Sequence, residues 1–150
     1  MNNAENLLKH VETLCVNYER FTGRDLIDAA TDAADLIQRM AEAPFAVVSH
    51  GTQVDPVFNY ANNRALELFE MTWEEFTMLP SRLSAEAPDQ AERARLLEKV
   101  SRQGYVDDYS GVRISKSGRK FIIRNATVWN LYDAHGNYYG QAALIRDWEP

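Results

Sequence analysis

The 150-residue sequence predicts an α+β domain: a five-stranded antiparallel sheet, short helices on one face, and an N-terminal helical pair on the other. Three observations carry that prediction. Apolar residues recur at helical spacing through the first forty positions. Beyond Pro44 they give way to two short apolar runs and a helical excursion. The last third is rich in Val, Ile, Tyr, Trp and Thr and is divided by two compact turns.

The first helix is read from Leu7, Val11, Leu14, Tyr18 and Phe21, which form one continuous stripe. Gly23 ends it, because glycine tolerates the left-handed conformation of a helix C-terminus. Leu26, Ala30, Ala33, Ile37 and Met40 repeat the spacing, with Asp25 and Asp28 in the expected first turn and Arg39 near the last. Pro44 stops this second helix. Phe45 to Ser49 and Val57 to Tyr60 are predicted strands, separated by the turn-forming His50-Gly51-Thr52 and Asp55-Pro56. Asn62 and Asn63 can cap a helix over 64–71, with Ala65, Leu68 and Phe69 inward. Thr72-Trp73-Glu74-Glu75 is a capping box opening a helix that ends at Pro80. The polar 81–88 segment reads as a mobile loop. Asp89 and Glu92 signal a further helix running to Gln103 and ending at Gly104.

Three strands follow, over 105–115, 119–131 and 138–147, joined by Ser115-Lys116-Ser117-Gly118 and by Asp133-Ala134-His135-Gly136-Asn137. Connections this short make them antiparallel. Strict alternation places Phe121, Ile123, Trp129 and Leu131 on one face and Ile122, Ala126 and Val128 on the other. Both faces are therefore expected to be covered, the second by the N-terminal helices. The chain divides into a helical pair, 1–43, and a sheet domain, 44–150.

Composition narrows the function. Sixteen Lys and Arg against twenty-two Asp and Glu give a net charge of -6, with no basic cluster to neutralise phosphates, so nucleic acid is not an expected partner. The mixed-charge stretch from Glu92 to Arg102 reads as a solvated helix face. No apolar run spans a bilayer, and the N-terminus lacks the pattern of a signal peptide. With a single cysteine, Cys15, the expected setting is cytoplasmic. Small molecules or proteins are the expected partners.

Two strands, a helical excursion and a three-stranded meander resemble the order of a PAS domain, a ligand-sensing and dimerising module. Asn59-Tyr60-Ala61-Asn62 ahead of Ala65-Leu66-Glu67-Leu68-Phe69 is similar to the PAS segment in which an asparagine caps the first excursion helix. Asp133-Ala134-His135-Gly136, Gly140 and Arg146-Asp147-Trp148-Glu149 resemble its closing hairpin. A closer resemblance is to the MEKHLA domain, a PAS-like family found as stand-alone bacterial proteins and at the C-terminus of plant class III homeodomain-leucine zipper regulators. It rests on Ala43-Pro44-Phe45, Ser49-His50-Gly51-Thr52, Asp55-Pro56-Val57-Phe58-Asn59-Tyr60, Trp73-Glu74-Glu75-Phe76, Pro80-Ser81-Arg82, Asp108-Tyr109, Gly111-Val112-Arg113-Ile114-Ser115 and Val128-Trp129-Asn130-Leu131. The resemblance implies a fold and a sensory role, and no chemistry. In multidomain PAS proteins an extension leaves after the last strand. This chain stops two residues beyond Trp148, so no output domain is expected.

Polar side chains inside apolar strands mark the candidate site, because a buried polar group needs a partner. Asn59, Arg113, Asn125 and Thr127 are such residues. Each can be satisfied structurally, Arg113 by Asp107 or Glu86. As a group, Asn59, Tyr60, Tyr109, Arg113, Asn125 and Trp129 are expected to line one ligand pocket between sheet and helices, with Arg113 gripping an anion. Trp73 is expected to seal the helical excursion. The cofactor is unknown. His50 is the only candidate haem ligand, set against a hydrogen-bonded turn histidine, and His10 and His135 offer no metal spacing. Flavin-adduct chemistry is disfavoured, because residues 62–103 contain no cysteine. Adjacent Ser49 and His50 point to opposite faces of a strand and make no nucleophile–base pair. The favoured function is a non-enzymatic sensor or adaptor that binds a small molecule and forms a homodimer through the N-terminal helices, with packing of their two stripes within the chain as the alternative to that dimer. The alternative is a small acid–base enzyme of cone-shaped α+β fold, with Asp107 and Tyr109 facing one pocket.

Overall fold

The computed structural model describes residues 3–28 and 30–150. Six antiparallel strands form one sheet: β1 (Ala46–His50), β2 (Phe58–Ala61), β3 (Tyr105–Ile114), β4 (Lys120–Tyr132), β5 (Tyr138–Ile145) and β6 (Asp147–Glu149). The order is β2-β1-β5-β4-β3, so the first strand lies centrally beside the last long one, with Ala46 opposite Ile145 and His50 opposite Gln141. The expected five strands are all present. The sixth arises because the chain steps at Arg146 and resumes pairing along β4, with Ile123 opposite Trp148.

Helices cover both faces. On one lie α3 (Asn63–Phe69), α4 (Trp73–Phe76), a 3-10 turn (Ser81–Ser84) and α5 (Ala87–Gln103), over Val48, Phe58, Phe121, Ile123 and Val128. On the other lie α1 (Asn3–Thr22) and α2 (Ala33–Glu42), over Val47, Tyr60, Trp129, Leu131 and Leu144. The Thr72–Glu75 capping box forms as expected, with the Glu75 amide donating to Thr72 Oγ1 and the Thr72 amide to the Glu75 carboxylate. Residues 81–84 are a 3-10 turn with Ser81 and Ser84 buried, in place of the expected loop. The excursion also protects the sheet edge: the Phe58 amide donates to Leu79 O and the Ser81 amide to Pro56 O.

The second helix is shorter than its stripe suggested. It starts at Ala33, and Ala30 and Ala33 are exposed. Asp32 caps it by accepting from the Asp35 amide, and Asp35 reaches back to the Thr31 amide. This reciprocal pair is a stronger start signal than helical periodicity, and it releases Leu26 to pack as a buried loop residue. Likewise α5 begins at Ala87, ahead of the expected Asp89 signal. It ends at Gly104, whose φ of 97° lets its amide return to Val100 O while the Phe21 ring fills the space of a side chain.

Alternation along β3 and β4 is broken by two opposed bulges. Val106 pairs with Val128, Tyr109 with Ala126 and Gly111 with Ile123, so β3 carries one extra residue and then β4 does. Asn125, at φ 50°, is the β4 irregularity. The bulge inverts the expected faces: Phe121, Ile123, Ala126 and Val128 share the α5 side, and Trp129 and Leu131 face α1.

The α1 stripe is consumed inside the chain. Val11, Leu14 and Tyr18 are fully buried on the sheet, and Tyr18 meets Trp129 edge-on at 5.0 Å between ring centroids. The same residues cannot form a dimer seam, which corrects the reasoning behind the expected N-terminal interface. Polar contacts lock the docking. Asn17 donates to Tyr132 O. Tyr139 Oη donates to His10 Nδ1 at 2.8 Å, His10 Nε2 to Ser49 Oγ at 2.8 Å, and Ser49 Oγ to Asn59 Oδ1 at 2.5 Å.

Three outcomes are expected. Leu14→Ala opens a cavity beneath α1 and should destabilise the protein by about 2–5 kcal/mol in chemical denaturation. Asn62→Ala leaves the buried Val47 and Ala65 amides without an acceptor and should cost about 3 kcal/mol by the same measurement. Burial lowers His10 from 6.5 to about 4. Between those values the unfolded chain binds a proton that the folded chain refuses. Stability is therefore complete above about pH 6.5 and falls toward pH 4, by about 3 kcal/mol from this group. His10→Gln should flatten the pH dependence of the melting temperature across that window.

Candidate functional site

The site is built on three successive inward positions of β3: Tyr109, Gly111 and Arg113. A Cβ at Gly111 would stand 2.1 Å from Tyr109 Oη, so the absent side chain lets the tyrosine lie along the strand. Arg113 then stacks over the Tyr109 ring, 5.3 Å from its centroid. Helix α5 contributes Arg93, Leu96 and Leu97, three positions of one helical face. Strands β1 and β5 contribute His50 and Gln141. These groups line a cavity of about 50 Å³ between sheet and α5, otherwise walled by apolar side chains such as Phe58, Phe69 and Val128.

The polar inventory of this cavity does not balance. Arg93 and Arg113 are each only 8% exposed. Arg93 Nη2 donates to Ser81 Oγ at 2.6 Å, and Arg113 Nη1 donates to Val112 O at 2.9 Å. Among the described residues neither has a carboxylate within 4.0 Å. Glu86, one expected partner of Arg113, pairs with Lys120 instead. Burial pushes the Arg93 guanidinium down to about 10, and the Arg113 charge acts in the same direction. His50 Nδ1 faces Gly51 O at 3.0 Å, whereas Nε2 and Tyr109 Oη are buried with no hydrogen-bond partner. Burial, aided by the Arg93 charge, holds the His50 imidazole below its ordinary range against the opposing pull of Gly51 O and of the neighbouring Gln141 side chain, which makes no hydrogen bond of good geometry to Nε2. A neutral ring that donates through Nδ1 presents Nε2 as an acceptor.

Sequence reasoning expected six residues around one cavity, and the fold divides them. Tyr109 and Arg113 line the α5 cavity. Asn59 and Tyr60 border a groove on the opposite side with His10, Trp73 and Tyr139. Trp129 is wholly buried against Tyr18. Asn125 is exposed at the bulge. Trp73, expected to seal the excursion, is 38% exposed and meets Tyr60 edge-on. The bulges also undo the proposed acid–base pair: Asp107 and Asp108 both face solvent while Tyr109 turns inward. The sequence reading missed Arg93, taking its helix as solvated. Its spacing from Leu96, Leu97 and Val100 was the available signal, since residues three, four and seven apart share a face. Among the described residues no cluster of three or more His, Cys, Asp or Glu could hold a metal ion. Cys15 sits half-buried on α1, its thiol pushed up to about 12 by burial.

Comparison with solved structures places this architecture among PAS folds. The PAS domain of a protein from Colwellia psychrerythraea superposes with a TM-score of 0.63 at 16% identity, covering 73% of this chain and 91% of that one. The fungal blue-light photoreceptor Vivid, in its light-state dimer, gives 0.59 at 16% identity over 88% and 90%. At these identities the likeness concerns the fold alone. Among curated proteins, the homeobox-leucine zipper protein ATHB-9 of Arabidopsis thaliana is 27% identical over 139 residues. That alignment takes in 88% of this chain, which spans only 16% of the relative's length. The MEKHLA domain matches residues 8–150, so α1 from Leu8 onward falls within it along with the whole sheet. The chain belongs to the MEKHLA domain family.

Proposed function

We propose that this domain is a non-enzymatic sensory or adaptor module that takes a small molecule into the cavity between the sheet and α5. The observation that carries the reading is the pair of buried, unpartnered polar atoms, His50 Nε2 and Tyr109 Oη, in the wall of a chamber that Arg93, Arg113 and apolar side chains complete. Buried polar atoms are normally satisfied, and an exception at a cavity wall is accounted for by a ligand that supplies the missing partners. Tyr109 Oη can donate to an acceptor on the ligand, and His50 Nε2 can accept from a donor on the ligand or from a water that enters with it.

Helix α5 is the element through which occupancy would be transmitted. Its C-terminal half is tied to the sheet by Asn130 donating to Val100 O and Gln141 donating to Leu97 O. A ligand wedged between α5 and Gln141 therefore acts directly on the contacts that position the helix. The output partner is a protein, consistent with the absence of a basic cluster.

Native mass spectrometry of freshly purified protein should show a bound small molecule that denaturation releases. Ala143→Leu, which fills the cavity from β5, should lose that adduct. A bare-chain mass for the unmodified protein, with a higher melting temperature for Ala143→Leu, would mark the cavity as a mere packing void and overturn the proposal.

A further inference from the structure

Two buried arginines facing one small chamber restrict what the chamber can hold. An arginine keeps its proton under all physiological conditions, so each guanidinium is a permanent charge removed from water. The two together carry ten N–H donors, of which the protein's own hydrogen bonds to Ser81 and Val112 use one on each residue. Among the described residues eight ion pairs occupy other cations, and neither Arg93 nor Arg113 takes part in any of them. The Tyr109 ring face offsets part of the Arg113 charge, and Tyr109 and the more distant Asp55 carboxylate offset part of the Arg93 charge without overcoming its burial. The arrangement concentrates positive charge where burial makes it most costly, which calls for a counter-anion.

We infer that the cavity's ligand is a small carboxylate, its oxygens held by the Arg93 and Arg113 guanidiniums. This rests on the reading of the cavity as a ligand site. Planar guanidiniums match planar carboxylates through paired N–H···O bonds, with Tyr109 Oη available as a further donor. A chamber of about 50 Å³ has room for about four water-sized groups, which suits a carboxylate with a short alkyl tail. Phe58, Phe69, Leu96 and Val128 supply apolar wall for that tail, a surface that a bare phosphate would leave unused.

Calorimetric and thermal-shift titrations of the full chain with propionate, propionamide and inorganic phosphate, at constant ionic strength, test the inference. Propionate should bind saturably and raise the melting temperature, and propionamide should do neither. Arg113→Met and Arg93→Met should each weaken propionate binding by roughly tenfold or more. Unliganded Arg93→Met should melt no lower than the unmodified protein, because it removes one of two like buried charges. If either variant fails to fold, the Arg→Lys variant at the same position keeps the charge, loses the planar fork and should also bind propionate more weakly. Equal responses to propionate and propionamide would overturn the carboxylate inference while leaving a ligand cavity in place. A response to phosphate alone would overturn it too. A retained molecule released by denaturation should ionise as a carboxylate, and a neutral one refutes the inference. Silence toward all three probes together with a ligand-free native mass spectrum would overturn the cavity reading itself.

Discussion

Asn62 is the residue on which the arrangement of the elements depends. It is 1% exposed and uses both ends of its amide. Oδ1 accepts from the Ala65 amide, capping α3, and from the Val47 amide at the start of β1. Nδ2 donates to Met40 O at the end of α2 and to Phe45 O beside it. One side chain thereby fixes where α2 stops, where β1 enters the sheet and where the excursion begins. Only a neutral amide carries two donors and an acceptor with two lone pairs in so short a side chain. An aspartate would keep the cap and lose both donors.

With β1 held there, the sheet separates two cores of different character. The α1 side is closed by large apolar groups, and its polar chain from Tyr139 through His10 and Ser49 to Asn59 is satisfied internally. Such a network specifies one docking of α1, and the orphaned Trp129 Nε1 beneath it is packed against Tyr18. The α5 side is incompletely packed, and its polar atoms at the wall are left unsatisfied. A domain of this size is only marginally stable, so orphaned polar atoms are an appreciable burden. Two of them, His50 Nε2 and Tyr109 Oη, share the cavity wall on the α5 face, whereas the third, Trp129 Nε1, is sealed in the α1 core with no cavity beside it.

Gly111 and Gly140 show how close approach shapes that site. A Cβ at Gly140 would stand 2.1 Å from the His50 carbonyl oxygen, and the residue's φ is 145°. Glycine there lets β5 lie against β1 at the point where His50 turns inward. Gly111 does the equivalent for Tyr109, trading a side chain for space that the phenol occupies. Both positions set side-chain direction within the cavity wall, one for each of its two orphaned polar atoms.

The order of strands and helices, the Thr72 capping box, the Asn62 cap and the coverage of both sheet faces were legible in the sequence. Each depends on neighbours within a few residues or on simple apolar periodicity, and local chemistry decides such features. Tyr109 and Arg113 were also legible, as polar or aromatic interruptions of a strand. What the sequence could not reveal was which candidates meet. The opposed bulges at Asp107–Asp108 and Asn125 change the parity of two strands, exposing Asn125 and both aspartates and sending Trp129 to the α1 face. A one-residue slip exchanges the faces of every side chain beyond it, and no periodicity within one strand records the register of its partner. Arg93 became a cavity residue only because α5 packs with its Leu96–Leu97 face on the sheet. Composition and spacing determined the fold. The pairing of strands and the docking of α5 decided which polar groups are left facing one another.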